Sequence, residues 1–146
     1  MKRSQRLATA LLLLSCLPAY AHHLAVIVHQ DNHQQSVTSA ELAKIFKAES
    51  GKWPNGNNVT VVLNKNSAVT KQVLQRLCKL GKDQMDAFLA AHKSEYLMAG
   101  SDAEVVRLVG GTPVALGLVD VREIDGKVKV LKVDGKLPLE KGYLPH

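Results

Sequence analysis

Cysteine is almost absent from this chain: Cys16 and Cys78 are the only two in 146 residues. Cys16 falls in a segment read below as an export leader, which leaves Cys78 alone, and one thiol closes no intramolecular disulfide. A disulfide scaffold is therefore excluded. Leu77-Cys78 lies on an apolar helical stretch, where a lone cysteine serves as a small buried hydrophobe. Aromatic residues are also scarce, 4% of the chain with a single tryptophan. No run of like charges occurs and basic residues do not alternate with aromatic ones, so a nucleic-acid surface is excluded. Catalytic patterns are missing too: there is no nucleophile with a base, no paired carboxylates, no phosphate loop and no metal triad. Gly110-Gly111 has no Lys-Ser/Thr after it and reads as a helix stop. Asp102 and Glu104 read as acids in a helix first turn, where the dipole favours them. Asp120, Glu123 and Asp125 read as solvated hairpin positions. His22, His23, His29 and His33 cluster near the start but lack metal-ligand spacing. They read as a polar tail and loop, with copper chelation by a terminal His22 as the alternative. The expectation is a binding protein without a cofactor, not an enzyme.

A long apolar run is missing as well. The longest, Leu7 to Leu17, is about half of the roughly 20 residues a membrane-spanning helix requires. Lys2, Arg3 and Arg6 precede it, and Pro18 and Ala19-Tyr20-Ala21 follow. Basic start, apolar middle and small-x-small end are the parts of a secretory signal peptide. Residues 1–21 are read as that leader, with cleavage after Ala21 and a periplasmic location. A lipid anchor on Cys16, through Leu13-Leu14-Ser15-Cys16, is the alternative. The formal charge of +6 for the whole chain falls to about +3 when Lys2, Arg3 and Arg6 leave. That is too weak a basicity to imply an anionic membrane. The remaining residues, 22–146, suffice for one core and one domain.

Periodicity then places the elements. Leu24 to Val28 is a continuous β-branched run, expected to be a strand buried on both faces. His29 to Ser36 reads as a loop. Thr38-Ser39-Ala40-Glu41 has capping-box spacing and opens a helix with Leu42, Ile45 and Phe46 on one face. Trp53-Pro54-Asn55-Gly56 is a turn. Val59 to Leu63 reads as a strand, and a helix is expected from Ser67 with Val69, Val73, Leu74 and Leu77 inward and Gly81 as its stop. Asp83 is expected to open a helix carrying Met85, Phe88 and Leu89 inward. Ser101 to Glu104 repeats the capping-box spacing ahead of Val105, Val106, Leu108 and Val109. Val114 to Val119 reads as a strand, and Asp125-Gly126 as a hairpin turn into one strand from Val128 to Val133. Strands alternating with helices predict an α/β sandwich with a hairpin near its end.

Three stretches in order carry a resemblance: Leu24 to His33 with Ser39 to Phe46 and Trp53, then Asn66-Ser67-Ala68-Val69-Thr70, then Gly111 to Val119. Together they resemble one lobe of the phosphate-type periplasmic substrate-binding proteins of ABC transporters, from about Leu24 to Val133. The resemblance implies a single lobe of a type II periplasmic-binding-protein-like fold, a central mixed sheet flanked by helices. It also implies a site for phosphate or a similar oxyanion at Lys65, Ser67, Ala68, Val69 and Thr70, with Ser67 matching the phosphate-contacting serine. Independently of it, a helix start at Ser67 presents unpaired N–H groups and a positive dipole end, which suit an anion. Ser67 as no more than a helix cap is the alternative. Departures from the family pattern are Lys65 and Asn64 where an arginine is usual, Ala68 in place of glycine, and Leu118 in place of tyrosine. One lobe implies an open, weak site. Two functions stay open: a small oxyanion-binding module, or a ligand-free accessory protein for a membrane sensor or transporter. Homodimerisation is a further possibility.

Overall fold

The computed structural model describes residues 23–145. The leader read at residues 1–21, Cys16 and His22 lie outside them. The chain runs β1 (Leu24–His29), β2 (Ser36–Val37), α1 (Ser39–Phe46), β3 (Thr60–Asn64), α2 (Ala68–Cys78), α3 (Lys82–Ala91), β4 (Tyr96–Ala99), α4 (Asp102–Gly111), β5 (Ala115–Asp120), β6 (Val128–Val130) and β7 (Lys132–Val133). Five strands form one sheet in the order β4-β3-β5-β1-β6, and β2 pairs with β7 in a small second sheet. β3 runs parallel to β4 and β5, whereas β1 runs antiparallel to both of its neighbours, so the sheet is mixed.

β1 is buried on both faces because helices cover both. Leu24, Val26 and Val28 join the core under α1 and α2, and Ala25 and Ile27 join the core under α4. β5 divides in the same way: Leu116 and Leu118 face the first core, Ala115 and Val119 the second. Period-two alternation thus feeds two cores at once, which is why these strands read as unbroken apolar runs. Gly117 sits where α4 crosses β5; a Cβ there would lie 2.6 Å from Val105 Cγ1, so a side chain would push the helix off the sheet.

The helix starts follow local chemistry. Thr38 and Glu41 form the expected capping box of α1. At α4, Ser101 Oγ accepts from Glu104 N, but the Glu104 carboxylate reaches one residue further back, to Gly100 N at 2.7 Å. α2 ends at Lys79 in the left-handed region (φ 55°), not at Gly81, which instead precedes the first turn of α3. Two buried tyrosines tie distant segments together. Tyr96 Oη donates to Phe46 O at 2.6 Å, joining β4 to the end of α1. Tyr143 Oη accepts from Val26 N at 3.1 Å and donates to Leu131 O at 2.6 Å, continuing the β1–β6 ladder past the end of β6.

The structure corrects the expected hairpin. β5 and β6 are not neighbours, because β1 lies between them. A short 3-10 turn at Val121–Glu123 carries the chain across the end of β1. The stretch read as one strand from Val128 to Val133 is split: Val128–Val130 pairs with β1 and Lys132–Val133 with β2. β2 and β4 had no counterpart in the sequence reading; Tyr-Leu-Met-Ala has neither alternation nor β-branched residues.

Tyr143→Phe removes the hydroxyl that pairs two buried backbone groups and is expected to cost about 1–3 kcal/mol, read as a lower urea midpoint at pH 7. Burial pushes the Cys78 thiol up to about 11 and the Tyr143 phenol up to about 12. Both groups are neutral when protonated, so their burial is tolerated below the unfolded values. As pH rises past about 9, the unfolded chain ionises first and folding stability falls. Urea titrations followed by Trp53 fluorescence should show this decline setting in between pH 9 and 11, and native Cys78 should stay inert to thiol reagents at pH 8.

Candidate functional site

β3, β4 and β5 run parallel, so their final residues Asn64, Ala99 and Asp120 share one edge of the sheet. From that edge the chain leaves β3 into α2 and α3 over one face, and leaves β4 into α4 over the other. This change of face between β3 and β5 is a topological switch point, the place where open α/β sheets form a crevice. Here it is a hollow of about 290 Å³ lined by Asn64, Ser67, Val69, Asp102, Asp120 and Arg122, among others.

The floor of the hollow is a chain of hydrogen bonds. Asn64 Nδ2 donates to Asp102 Oδ1 at 2.8 Å, and Asp120 N donates to Asp102 Oδ2 at 2.9 Å. Asn64 Oδ1 accepts from Asn66 N at 2.9 Å, shaping the turn into α2. Arg122 grips Asp120 in a two-pronged pair, Nε to Oδ1 at 2.9 Å and Nη2 to Oδ2 at 2.8 Å. Both carboxylates are thereby held in place, and the buried one, Asp120, has a cation against it. Asp120 is not the solvated position its sequence neighbourhood suggests.

Four of the five predicted ligand residues divide between two places. Ser67 and Val69 line the hollow, whereas Lys65 and Thr70 line a separate cleft on the far side of α2. Ala68 is exposed at the first helical position. Ser67 does cap the helix, its Oγ accepting from Thr70 N at 3.1 Å. A hydroxyl that accepts still has a proton to donate, so capping and ligand contact are compatible. The amides of Ala68 and Val69 receive no bond from the described residues. Thr70 turns inward: its side chain is buried beside Val69, which packs against the core in part, and its Oγ1 has no partner. Its amide and its hydroxyl are thus both withdrawn from the hollow.

Asn64, Asp102, Asp120 and Arg122 were missed as site residues. The available signal was their place at strand ends and at a helix start, which becomes meaningful only once the three strands are known to be parallel. Among the described residues no group of three or more His, Cys, Asp and Glu could hold a metal ion, and no helix is long and apolar enough to cross a membrane.

A mixed sheet with helices on both faces and a hollow at its switch point defines a binding-protein lobe. The sequence profile of the PBP superfamily domain matches residues 13–142, and the chain belongs to that family. No curated protein matches the chain significantly. Solved structures that share its fold include the following three. One is a Clostridium perfringens protein assigned as a phosphate ABC transporter substrate-binding protein and solved with bound phosphate (TM-score 0.66, 18% identity, covering 80% of this chain and 46% of that one). Another is an ABC-type phosphate transport receptor from Vibrio cholerae (0.65, 21%, 80% and 48%). The third is PstS from Borrelia burgdorferi (0.64, 17%, 80% and 49%). The chain thus spans about half the length of these neighbours.

Asp102→Ala strips the acceptor from Asn64 Nδ2 and Asp120 N together and is expected to cost about 1–3 kcal/mol for each group left unpaired. Asp102→Asn, which keeps one carbonyl oxygen, should cost less. Urea midpoints of the two variants check the order.

Proposed function

We propose that the chain is an exported, periplasmic substrate-binding domain that takes phosphate or a similar small oxyanion at the start of α2. The observation that carries this reading is the pair of unbonded amides of Ala68 and Val69, beside a Ser67 hydroxyl with a proton to give, at the mouth of the switch-point hollow. Such a helix start offers N–H groups and a positive dipole end to an anion without further rearrangement. Lys65 adds positive charge from the neighbouring cleft, and Thr70 contributes only the amide that orients Ser67. The phosphate bound to the Clostridium perfringens neighbour and the phosphate transport role of the Vibrio cholerae one support the choice of oxyanion. Asp102 and Asp120 work against a dianion, and an open hollow leaves the ligand in screening solvent, so the affinity is weak. Export rests on the leader read at residues 1–21.

Those same two carboxylates favour a second reading. In it the chain keeps the fold but takes no small ligand, and serves as an accessory to a membrane sensor or transporter, alone or as a homodimer. Calorimetric titration with phosphate and sulfate separates the two. The first reading expects a dissociation constant in the micromolar to millimolar range, on the order of −8 to −4 kcal/mol. It also expects that heat to vanish in Ser67→Asp. Aspartate still caps the helix but puts negative charge at the mouth of the hollow, so folding is preserved while an anion is repelled. No heat at millimolar phosphate or sulfate from the unaltered chain refutes the oxyanion site and leaves the accessory reading.

A further inference from the structure

The cleft on the far side of α2 has a different chemistry from the hollow. It opens between α2, α3 and the ends of β3 and β4, with a volume of about 210 Å³. Leu63, Leu74, Leu89 and Met98 make its walls apolar. Thr70 lies among them, 1% exposed, with an Oγ1 that bonds to nothing. An unpaired buried hydroxyl is costly, and this one belongs to a residue that lines the cleft. Charge collects around the apolar part. Lys65, Lys71 and Lys93 surround the cleft with Asp86 as the one acid, and Asp86 is drawn to Lys71 at 3.4 Å. Lys65 and Lys93 have no ion-pair partner among the described residues.

We infer that this cleft is a second binding site, for a small monocarboxylate with an apolar body of about four to eight carbons. The size follows from the volume, which is below the roughly 300–1,000 Å³ of drug-sized sites. The apolar body displaces water from Leu63, Leu74, Leu89 and Met98. The carboxylate stays at the rim between Lys65 and Lys93 and accepts from them. The Thr70 hydroxyl, which has no partner of its own, donates to the carboxylate oxygen that points inward from that rim. Bare phosphate suits this cleft poorly, since most of the lining offers it no donor. Asn64 lines both this cleft and the Ser67 hollow, but neither proposal needs the other.

The test is NMR titration of the full chain with butanoate, pentanoate and hexanoate, reading amide shifts on both sides of α2. The inference expects saturable shifts at Leu74, Leu89 and Lys93 with a dissociation constant on the order of 1 mM for hexanoate. Affinity should rise about threefold to fourfold per methylene. Ala90 lines the cleft from an exposed helix position, so Ala90→Trp blocks the mouth without entering a core and should abolish the shifts. Thr70→Val, which keeps shape and removes the unpaired hydroxyl, should weaken hexanoate about fivefold to tenfold. Hexylamine, with the opposite charge, should not bind. Shifts that are absent at about 20 mM hexanoate, that hexylamine reproduces, or that survive unchanged in Ala90→Trp or Thr70→Val overturn the inference.

Discussion

The carboxylate of Asp102 accepts from the end of β3 through Asn64 and from the end of β5 through the amide of Asp120, while its own backbone begins α4. Three elements, of which β3 is distant in sequence from the other two, are therefore fixed against each other by one side chain. Asn64 in turn shapes the turn into α2 through Asn66 N, so the position of the α2 start depends on the same group. Two donors converging on an acid at a helix N-terminus is a favourable electrostatic arrangement, because the dipole and both hydrogen bonds act on the charged form. The hollow takes its geometry from this contact.

That arrangement also limits what the hollow can hold. An anion at the α2 start meets free amides and a hydroxyl on one side and a carboxylate-bearing floor on the other. Asp120 is balanced by Arg122, and Asp102 is occupied by its donors, so the floor is less repulsive than a count of acids suggests. The cleft across α2 has the converse character, cationic at its rim and apolar within. One helix thus separates two surfaces of different chemistry, and Lys65 and Thr70 belong to the second although they flank Ser67 in sequence.

Much of the fold was legible without coordinates. Leu24 to Val28 announced a strand buried on both faces, and both cores indeed draw on it. Thr38, Ser67 and Ser101 announced helix starts, and each caps as its hydroxyl allows. The order of three motifs pointed to the binding-protein lobe. What escaped was set by partners distant in sequence. Tyr96 to Ala99 is a strand because β3 lies beside it, not because of its own residues. Asp125-Gly126 is a turn, but the slot beside β5 was already filled by β1, so no hairpin could form. Val69 packs against the core as expected but only in part, and Thr70 is the more deeply buried because it shares the i, i+3, i+4, i+7 spacing with Val73, Leu74 and Leu77.

The sequence alone determined the features that depend on neighbours a few residues away: the helix N-caps, the apolar stripe of α1 and the unbroken apolar run of β1. Period, hydroxyl placement and β-branching act locally, and their consequences can be read off in order. Only the tertiary structure decided which strand ends meet, that Asn64, Asp102 and Asp120 form one bonded floor, and that Lys65 and Thr70 face a different surface from Ser67 and Val69. Those outcomes depend on strand order and helix docking, and a hydrogen bond between residues 38 positions apart, as between Asn64 and Asp102, leaves no periodic trace in the sequence.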